Sequence, residues 1–175
     1  MSMPAQKPGR SKQDYATPAE FIRAVKRRLD VRGEFFMDFA ASADNAKAFK
    51  FVSEQADGLS MSFKDRMTLS GAPAWRTWNW LNPPFADIAP WAAACAQFKR
   101  DGGQVAFLVP TSVGANWFRD HVHGQALVLA LNGRLAFIEG KPRELYPKDC
   151  MLCLYSPWVS VGFDVWDWKK ELEKR

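Results

Sequence analysis

Residues 82–85 read Asn-Pro-Pro-Phe, and these residue types, in this order, suit one kind of chemistry. An exocyclic aromatic amine such as that of adenine is a poor nucleophile, because its lone pair is delocalised into the ring. Two acceptors that take both amine hydrogens draw the nitrogen toward tetrahedral geometry and aim its lone pair at an electrophile such as a methyl group. The Asn82 side-chain oxygen and the Pro83 backbone carbonyl are suitable acceptors. They act by positioning and preorganised electrostatics, with no strong base required. Pro83 and Pro84 restrict the backbone, so the acceptors are held before a substrate arrives. Phe85 offers a flat face on which an extruded base can stack. The plain alternative is a proline-rich turn with an incidental phenylalanine.

The flanking elements weaken that alternative. Residues 76–81 read as a buried strand, and two consecutive prolines cannot continue a sheet interior, so the strand must stop at Asn82. Ile88, Trp91, Ala92, Cys95 and Lys99 recur at helical spacing and predict a helix over 87–100, ended by Gly102-Gly103. Residues 34–38 read as a second buried strand, ending in Asp38 and followed by the small-residue turn Phe39-Ala40-Ala41-Ser42-Ala43. The apolar run 104–109 has the pattern of a central parallel strand covered on both faces, closed by Pro110. A short strand is expected near 49–52, a turn at Asp57-Gly58-Leu59, and a helix over 112–121 with Trp117 and Phe118 inward. Further strands are expected over 127–131, 134–138 and 151–155, with Asn132-Gly133 as a tight antiparallel connection.

Upstream, Thr17-Pro18-Ala19-Glu20 predicts a helix start: Thr17 as cap, Pro18 at the first helical position and Glu20 completing a capping box. Phe21, Val25 and Leu29 form the apolar stripe of that helix. Arg23, Lys26, Arg27 and Arg28 lie off it, as a solvated face would. The alternation of strands and helices indicates one α/β domain with a mostly parallel sheet and an antiparallel edge. In open sheets of this kind, ligands bind outside the carboxyl ends of the strands. Asp38 and the Asn82–Phe85 run both fall at such ends.

Length and composition are compatible with this reading. The 175 residues suit one domain, with 47% hydrophobic and 25% charged residues, an ordinary globular balance. The net charge of +5 makes nucleic acid a reasonable partner. Residues 1–14 are polar and carry Lys7, Arg10 and Lys12, so a flexible basic arm is expected ahead of a domain over 15–175. No apolar run approaches the roughly 20 residues of a membrane helix, and no apolar signal segment leads the chain, so the cytoplasm is the expected compartment. Three cysteines are too few and odd in number for a disulfide scaffold. Cys150 and Cys153 lie in an apparent strand, where their spacing points them to opposite faces and away from a shared redox or zinc site. His121 and His123 are poorly spaced for a common metal. Of the eight tryptophans, Trp78 and Trp80 stand beside the motif and are the candidates to shape a base pocket.

The order of these pieces resembles the small phage and prophage DNA adenine methyltransferases. Their pattern is an N-terminal Thr-Pro, an Asp-x-Ala segment after an apolar strand, Asp-Gly-Leu, a tryptophan, then Asn-Pro-Pro. Here these are Thr17-Pro18, Asp38-Phe39-Ala40, Asp57-Gly58-Leu59, Trp78 or Trp80, and Asn82-Pro83-Pro84, with Phe85 closing the motif. Arg134-Leu135-Ala136-Phe137 is similar to the family's Gly-Arg-Leu-x-Phe segment. The likeness covers about residues 15 to 156. It implies a Rossmann-like methyltransferase domain of reduced size that uses S-adenosylmethionine, yields S-adenosylhomocysteine and needs no metal. It implies Asp38 and Ala40 at the cofactor, Thr17 and Pro18 covering it, and Asp57 on cofactor hydroxyls or on the adenine amine. Asn82, Pro83, Pro84 and Phe85 would hold the target base. The chain departs from many methyltransferases in having Ala40, Ala41 and Ser42 where a glycine-rich loop follows the first strand.

The implied function is methylation of the exocyclic amine of adenine in DNA by a phage or prophage modification enzyme. The alternatives are an amino-methyltransferase acting on RNA or on a protein glutamine, and a catalytically inactive nucleic-acid-binding module on the same fold. DNA is the expected partner, and a monomer is expected, with weak dimerisation as the alternative. Lys141, Arg143 and Lys148, in the loop 140–149, are candidate DNA contacts.

Overall fold

A computed structural model describes residues 16–71, 77–136 and 145–174. The expected basic arm, Lys141 and Arg143 lie outside the described residues. The described chain folds as a mixed α/β structure with five helices and a seven-stranded, mostly parallel sheet. In chain order the elements are α1 (Ala19–Arg28), β1 (Phe35–Asp38), β2 (Ala48–Phe51), α2 (Phe63–Leu69), β3 (Trp78–Leu81), α3 (Ala89–Arg100), β4 (Gln104–Pro110), α4 (Asn116–His121), β5 (Leu127–Leu131), β6 (Cys150–Tyr155), β7 (Gly162–Trp166) and α5 (Trp168–Glu173). The spatial order is β2-β1-β3-β4-β6-β5-β7.

All seven residues of β4 are buried, and their side chains alternate cleanly between two apolar layers. Val105, Phe107 and Val109 join Phe63 and Met67 of α2, Cys95 and Phe98 of α3 and Phe118 of α4 on one face. Ala106 and Leu108 join Phe21 and Val25 of α1 and Trp168 of α5 on the other. Period-two alternation thus feeds two cores from one strand. Arg27 locks the second layer by donating to the carbonyls of Leu172 and Lys174, both at 2.9 Å, at the C-terminal end of α5.

Several sequence expectations change here. β6 is antiparallel to both β4 and β5, but it lies inside the sheet and not at an edge. The outermost strands, β2 and β7, run parallel to their neighbours. Residues 134–136 form no strand, and Asn132-Gly133 turns no hairpin. The Asn132 N–H instead donates to Trp166 O at 2.9 Å, extending the pairing of β5 with β7. A turn signal specifies the local bend and not the element the chain meets next. Pro110 is still within β4, opposite Cys150. The short elements α2, β7 and α5 carry too little periodicity to read from sequence. Cys150 and Cys153 do face opposite layers.

The topology puts a reversal between β1 and β3. From β1 the chain moves to one side, to β2, then crosses back through α2 to β3 on the other side and continues through α3 to β4. The crevice of an open parallel sheet forms at such a reversal, here between the carboxyl ends of β1 and β3. The pairing across this seam is thin: Asp38 stands opposite Trp80 as its one register pair. A buried side chain supplements it. Asn79, fully shielded from solvent, accepts from Met37 N at 3.2 Å and donates to Gln104 O at 2.9 Å and Thr77 O at 3.0 Å. One carboxamide on β3 therefore ties together β1 and β4, its neighbours on either side.

Asn79→Ala leaves a buried N–H and a buried carbonyl without this partner, each costing about 1–3 kcal/mol. The expected loss of stability is about 2–4 kcal/mol, read from the midpoint of urea unfolding. A midpoint unchanged in the variant would show that the ladder alone holds the seam.

Candidate active site

Trp80 and Leu81 are buried, and the chain leaves β3 through Asn82-Pro83-Pro84-Phe85 directly above the seam. Asn82 is half-buried, Pro83 buried, and Pro84 and Phe85 half-buried. Phe85 packs against both apolar layers and meets Tyr146 edge-on, with ring centroids 5.7 Å apart. The motif therefore sits over the end of the sheet with its aromatic side chain seated.

The Asn82 carboxamide is anchored from a distant segment: Nδ2 donates to Thr17 Oγ1 at 3.1 Å. This corrects the expectation for Thr17. The N-cap of α1 is Pro18 and no side chain caps the helix. Pro18, expected one position later, has an extended ψ of 136°, which ends the helix register there. The Thr17 hydroxyl is directed across the sheet end to the motif.

On the other side of the seam, backbone bonds fix the end of β1. Phe39 N donates to Trp80 O at 3.1 Å, Val52 N to Asp38 O at 2.8 Å and Ala41 N to Val52 O at 3.0 Å. Asp38 is 2% exposed. Its carboxylate accepts from Ala40 N at 3.3 Å and Lys47 N at 3.1 Å. It thus holds both ends of the helix-free link that carries the chain from β1 back to β2.

Phe39 and Ala40 also wall a recess of about 160 Å³, with Val52, Ser53, Glu54, Asp57, Gly58 and Trp91. Asp57 is exposed and left-handed, with φ of 45°, a conformation its short polar side chain tolerates. Its carboxylate accepts from Leu59 N at 3.1 Å and its carbonyl from Arg66 Nη2 at 2.9 Å, which ties the turn to α2. A Cβ on Gly58 would stand 2.5 Å from Phe39 O and 2.6 Å from the Trp91 ring. The absence of a side chain at Gly58 thus lets the 57–58 turn pack directly on the Phe39 carbonyl and the Trp91 ring.

Two segments thus flank residues 39–40: the Asn82 motif with Thr17, and the recess with Asp57. A family model described as DNA N-6-adenine-methyltransferase (Dam) matches residues 5–165. The chain belongs to that family. It is an adenine-specific DNA methyltransferase. No curated protein matches it.

For a Dam-family enzyme the structure adds two aromatic residues that the sequence did not single out. Trp91 lies one turn beyond Ile88 on α3 and was legible as part of its apolar stripe, but periodicity does not tell core from recess. Tyr146 lies in the stretch 140–149, where the cations drew attention. Trp80, expected to shape a base pocket, is 1% exposed and stacks on Phe35 with centroids 5.5 Å apart. Trp78 packs against the same layer. Both belong to the core on the α1 side. Among the described residues no group of three or more His, Cys, Asp or Glu could hold a metal ion, and no helix is long and apolar enough to cross a membrane.

Burial pushes the Asp38 carboxyl up to about 7 from 3.8, against the opposing pull of the Lys47 and Ala40 N–H groups and the Lys47 charge. The folded chain therefore retains a proton on Asp38, over about pH 4 to 7, that the unfolded chain has released. The stability linked to that proton is present below about pH 4 and is lost as pH rises through about 7. Asp38→Asn cannot ionise. Relative to it, the parent is expected to lose stability as pH is raised from about 5 to about 8, by at most about 1.4 kcal/mol per pH unit. Urea melts of both proteins across that range read the difference, and a constant gap would contradict a protonated, buried Asp38.

Proposed function

We propose that this chain transfers a methyl group from S-adenosylmethionine to the exocyclic amine of adenine in DNA, at the crevice between β1 and β3. The observation that carries the proposal is the emergence of Asn82-Pro83-Pro84-Phe85 at the carboxyl end of β3, with its amide anchored by Thr17 beside the end of β1. Two parallel strands, a topological reversal and a preorganised amine acceptor meet there. The arrangement suits a Rossmann-like methyltransferase domain over 15–175, reduced because only nine residues, 39–47, with no helix among them, lead from the end of β1 to β2.

The recess fits one portion of the cofactor in its chemistry. It offers the carboxylates of Glu54 and Asp57, suited to hydroxyls and to positive charge, and the Trp91 ring, suited to a purine face. Its 160 Å³ is below the roughly 300 Å³ at which small-molecule sites begin, so it takes a part and not the whole. Ala40 and Asp57, which line it, are the residues to hold the nucleoside. Asp38 acts there through the link it braces. When bound, the cofactor supplies an electrophilic methyl on a sulfonium, with a neutral thioether as leaving group.

The protein's own contribution is at the acceptor amine. Asn82 Oδ1 and the Pro83 carbonyl take the two amine hydrogens, which localises the nitrogen lone pair toward the methyl. As the new N–C bond forms, one amine proton is released toward these acceptors and on to water. Phe85 gives the extruded base a stacking surface, and Tyr146 buttresses Phe85. DNA is the partner, the bacterial cytoplasm is the compartment, and phage or prophage modification is the setting that the sequence likeness supports.

Asn82→Ala removes one acceptor and leaves the Pro83 carbonyl. A preorganised hydrogen bond of this kind contributes about 10²–10³ in rate, so turnover is expected to fall by that factor with cofactor affinity little changed. Phe85→Ala should slow turnover and weaken base capture by about 1–3 kcal/mol, while Phe85→Tyr, which keeps the stacking face, retains most activity. Transfer of labelled methyl groups to adenine-unmethylated DNA, with RNA and protein in parallel, measures this. Parent-level turnover by folded Asn82→Ala would remove the motif from the reaction. Label appearing in RNA or protein instead would reassign the substrate.

A further inference from the structure

An asparagine carboxamide has two ends of nearly equal shape and opposite polarity. Facing an amine, its oxygen attracts both hydrogens and its nitrogen repels them. A half-buried Asn82 serves the reaction only if the oxygen end faces the base. Nothing within the Asn-Pro-Pro-Phe run dictates that choice, because the prolines constrain the backbone and not the Asn82 side chain. In the structure the nitrogen end is taken by a residue 65 positions away: Asn82 Nδ2 donates to Thr17 Oγ1 at 3.1 Å, which turns Oδ1 the other way.

Thr17 is built as a rigid support. It is 3% exposed. Its β-branched side chain has few rotamers, and the following proline restricts its backbone to extended conformations. Pro18 in turn is fixed at φ −57° and its carbonyl accepts from Ile22 N at 3.1 Å. Helix α1 carries Phe21 and Val25, both fully buried, and Arg27 ties it to the end of α5. A hydroxyl held this way and not spent on capping its own helix has been committed to Asn82.

We propose that Thr17 is a positioning residue for methyl transfer: by accepting from Asn82 Nδ2 it directs Oδ1 toward the target amine. The proposal rests on the reading of Asn82 as the amine acceptor. It gives the Thr-Pro pair a task other than helix capping or contact with the cofactor.

The test compares the full-length parent with Thr17→Val, Thr17→Ser, Asn82→Ala and the Thr17→Val/Asn82→Ala double variant. Turnover is measured on adenine-unmethylated bacterial DNA at saturating S-adenosylmethionine, and cofactor affinity is measured separately by calorimetry. Thr17→Val, of the same shape without the acceptor, should lower kcat about 10- to 100-fold, the scale of a misplaced reacting group, while the cofactor Kd changes less than about threefold. Thr17→Ser should recover at least tenfold over Thr17→Val. The double variant should be no slower than Asn82→Ala alone, because Thr17 acts through Asn82. Side-chain amide proton signals of Asn82 should shift in Thr17→Val and return in Thr17→Ser, with or without substrate. Should Thr17→Val not fold, Thr17→Ala against Thr17→Ser makes the same comparison.

A parent-like kcat in Thr17→Val, a loss confined to cofactor affinity, an additive double variant or unmoved Asn82 amide signals would each overturn the positioning role. An active parent with an indifferent Thr17→Val defeats this proposal alone. A parent inactive on DNA adenine defeats the functional reading, and the positioning role with it, even where the amide signals report the bond.

Discussion

The seam between β1 and β3 is where the rest of the structure is decided. A parallel sheet whose connections diverge must leave its strand ends uncovered at the point of divergence, and that opening is where a ligand can enter. The same divergence limits how far the two strands can pair, since the chain must leave each in an opposite direction. Here the ladder across the seam has the single pair Asp38–Trp80, and Asn79 supplies from the side what the backbone does not. Fully buried polar groups are tolerated only when bonded. The Asn79 carboxamide satisfies that condition by joining three strands, and so turns a desolvation cost into alignment of the floor on which Asp38 and Asn82 stand.

Above that floor, stiffness is concentrated in short local devices. Pro83-Pro84 and Thr17-Pro18 both limit backbone freedom beside a functional side chain, and Gly58 permits a backbone contact that a side chain would block. Asp38 works differently. It is a buried acid whose two backbone donors, at Ala40 and Lys47, define the link to β2. Its carboxyl is thus part of the scaffold that shapes residues 39–40, which wall the recess and bond to β3 at Trp80 O. An aspartate at this strand end contributes to a ligand site by setting loop shape, and the resulting desolvation raises its affinity for a proton.

Much of this was legible in the chain itself where the relevant forces act over a few residues. The apolar run 104–109 declares a strand covered on both faces, because it is too short for a typical helix and is bounded by Gly102-Gly103 and Pro110. The double proline after residues 76–81 declares the end of a strand, because proline cannot donate to the ladder. The stripe Phe21, Val25 and Leu29 declares one face of α1. These signals are enough to put Asn82 and Asp38 at strand ends, and the order of the family's short motifs adds the chemistry of an adenine amine.

The tertiary structure decided which of those pieces meet. Thr17 carries every local mark of a helix cap, yet its hydroxyl belongs to Asn82, and a competition between a nearby backbone N–H and a side chain 65 residues away leaves no trace in local spacing. Trp80 sits beside the motif in sequence, but its ring is spent inside the apolar layer under α1, stacked on Phe35 and shielded from any ligand. Trp91 and Asp57 come together only because α3 and the 57–58 turn pack against the end of β1. The antiparallel β6 slips between β4 and β5 because long-range pairing, and not the turn after β5, selects strand neighbours. Periodicity and turn chemistry report what a segment can do alone; partners, register and the side of the sheet are settled by packing.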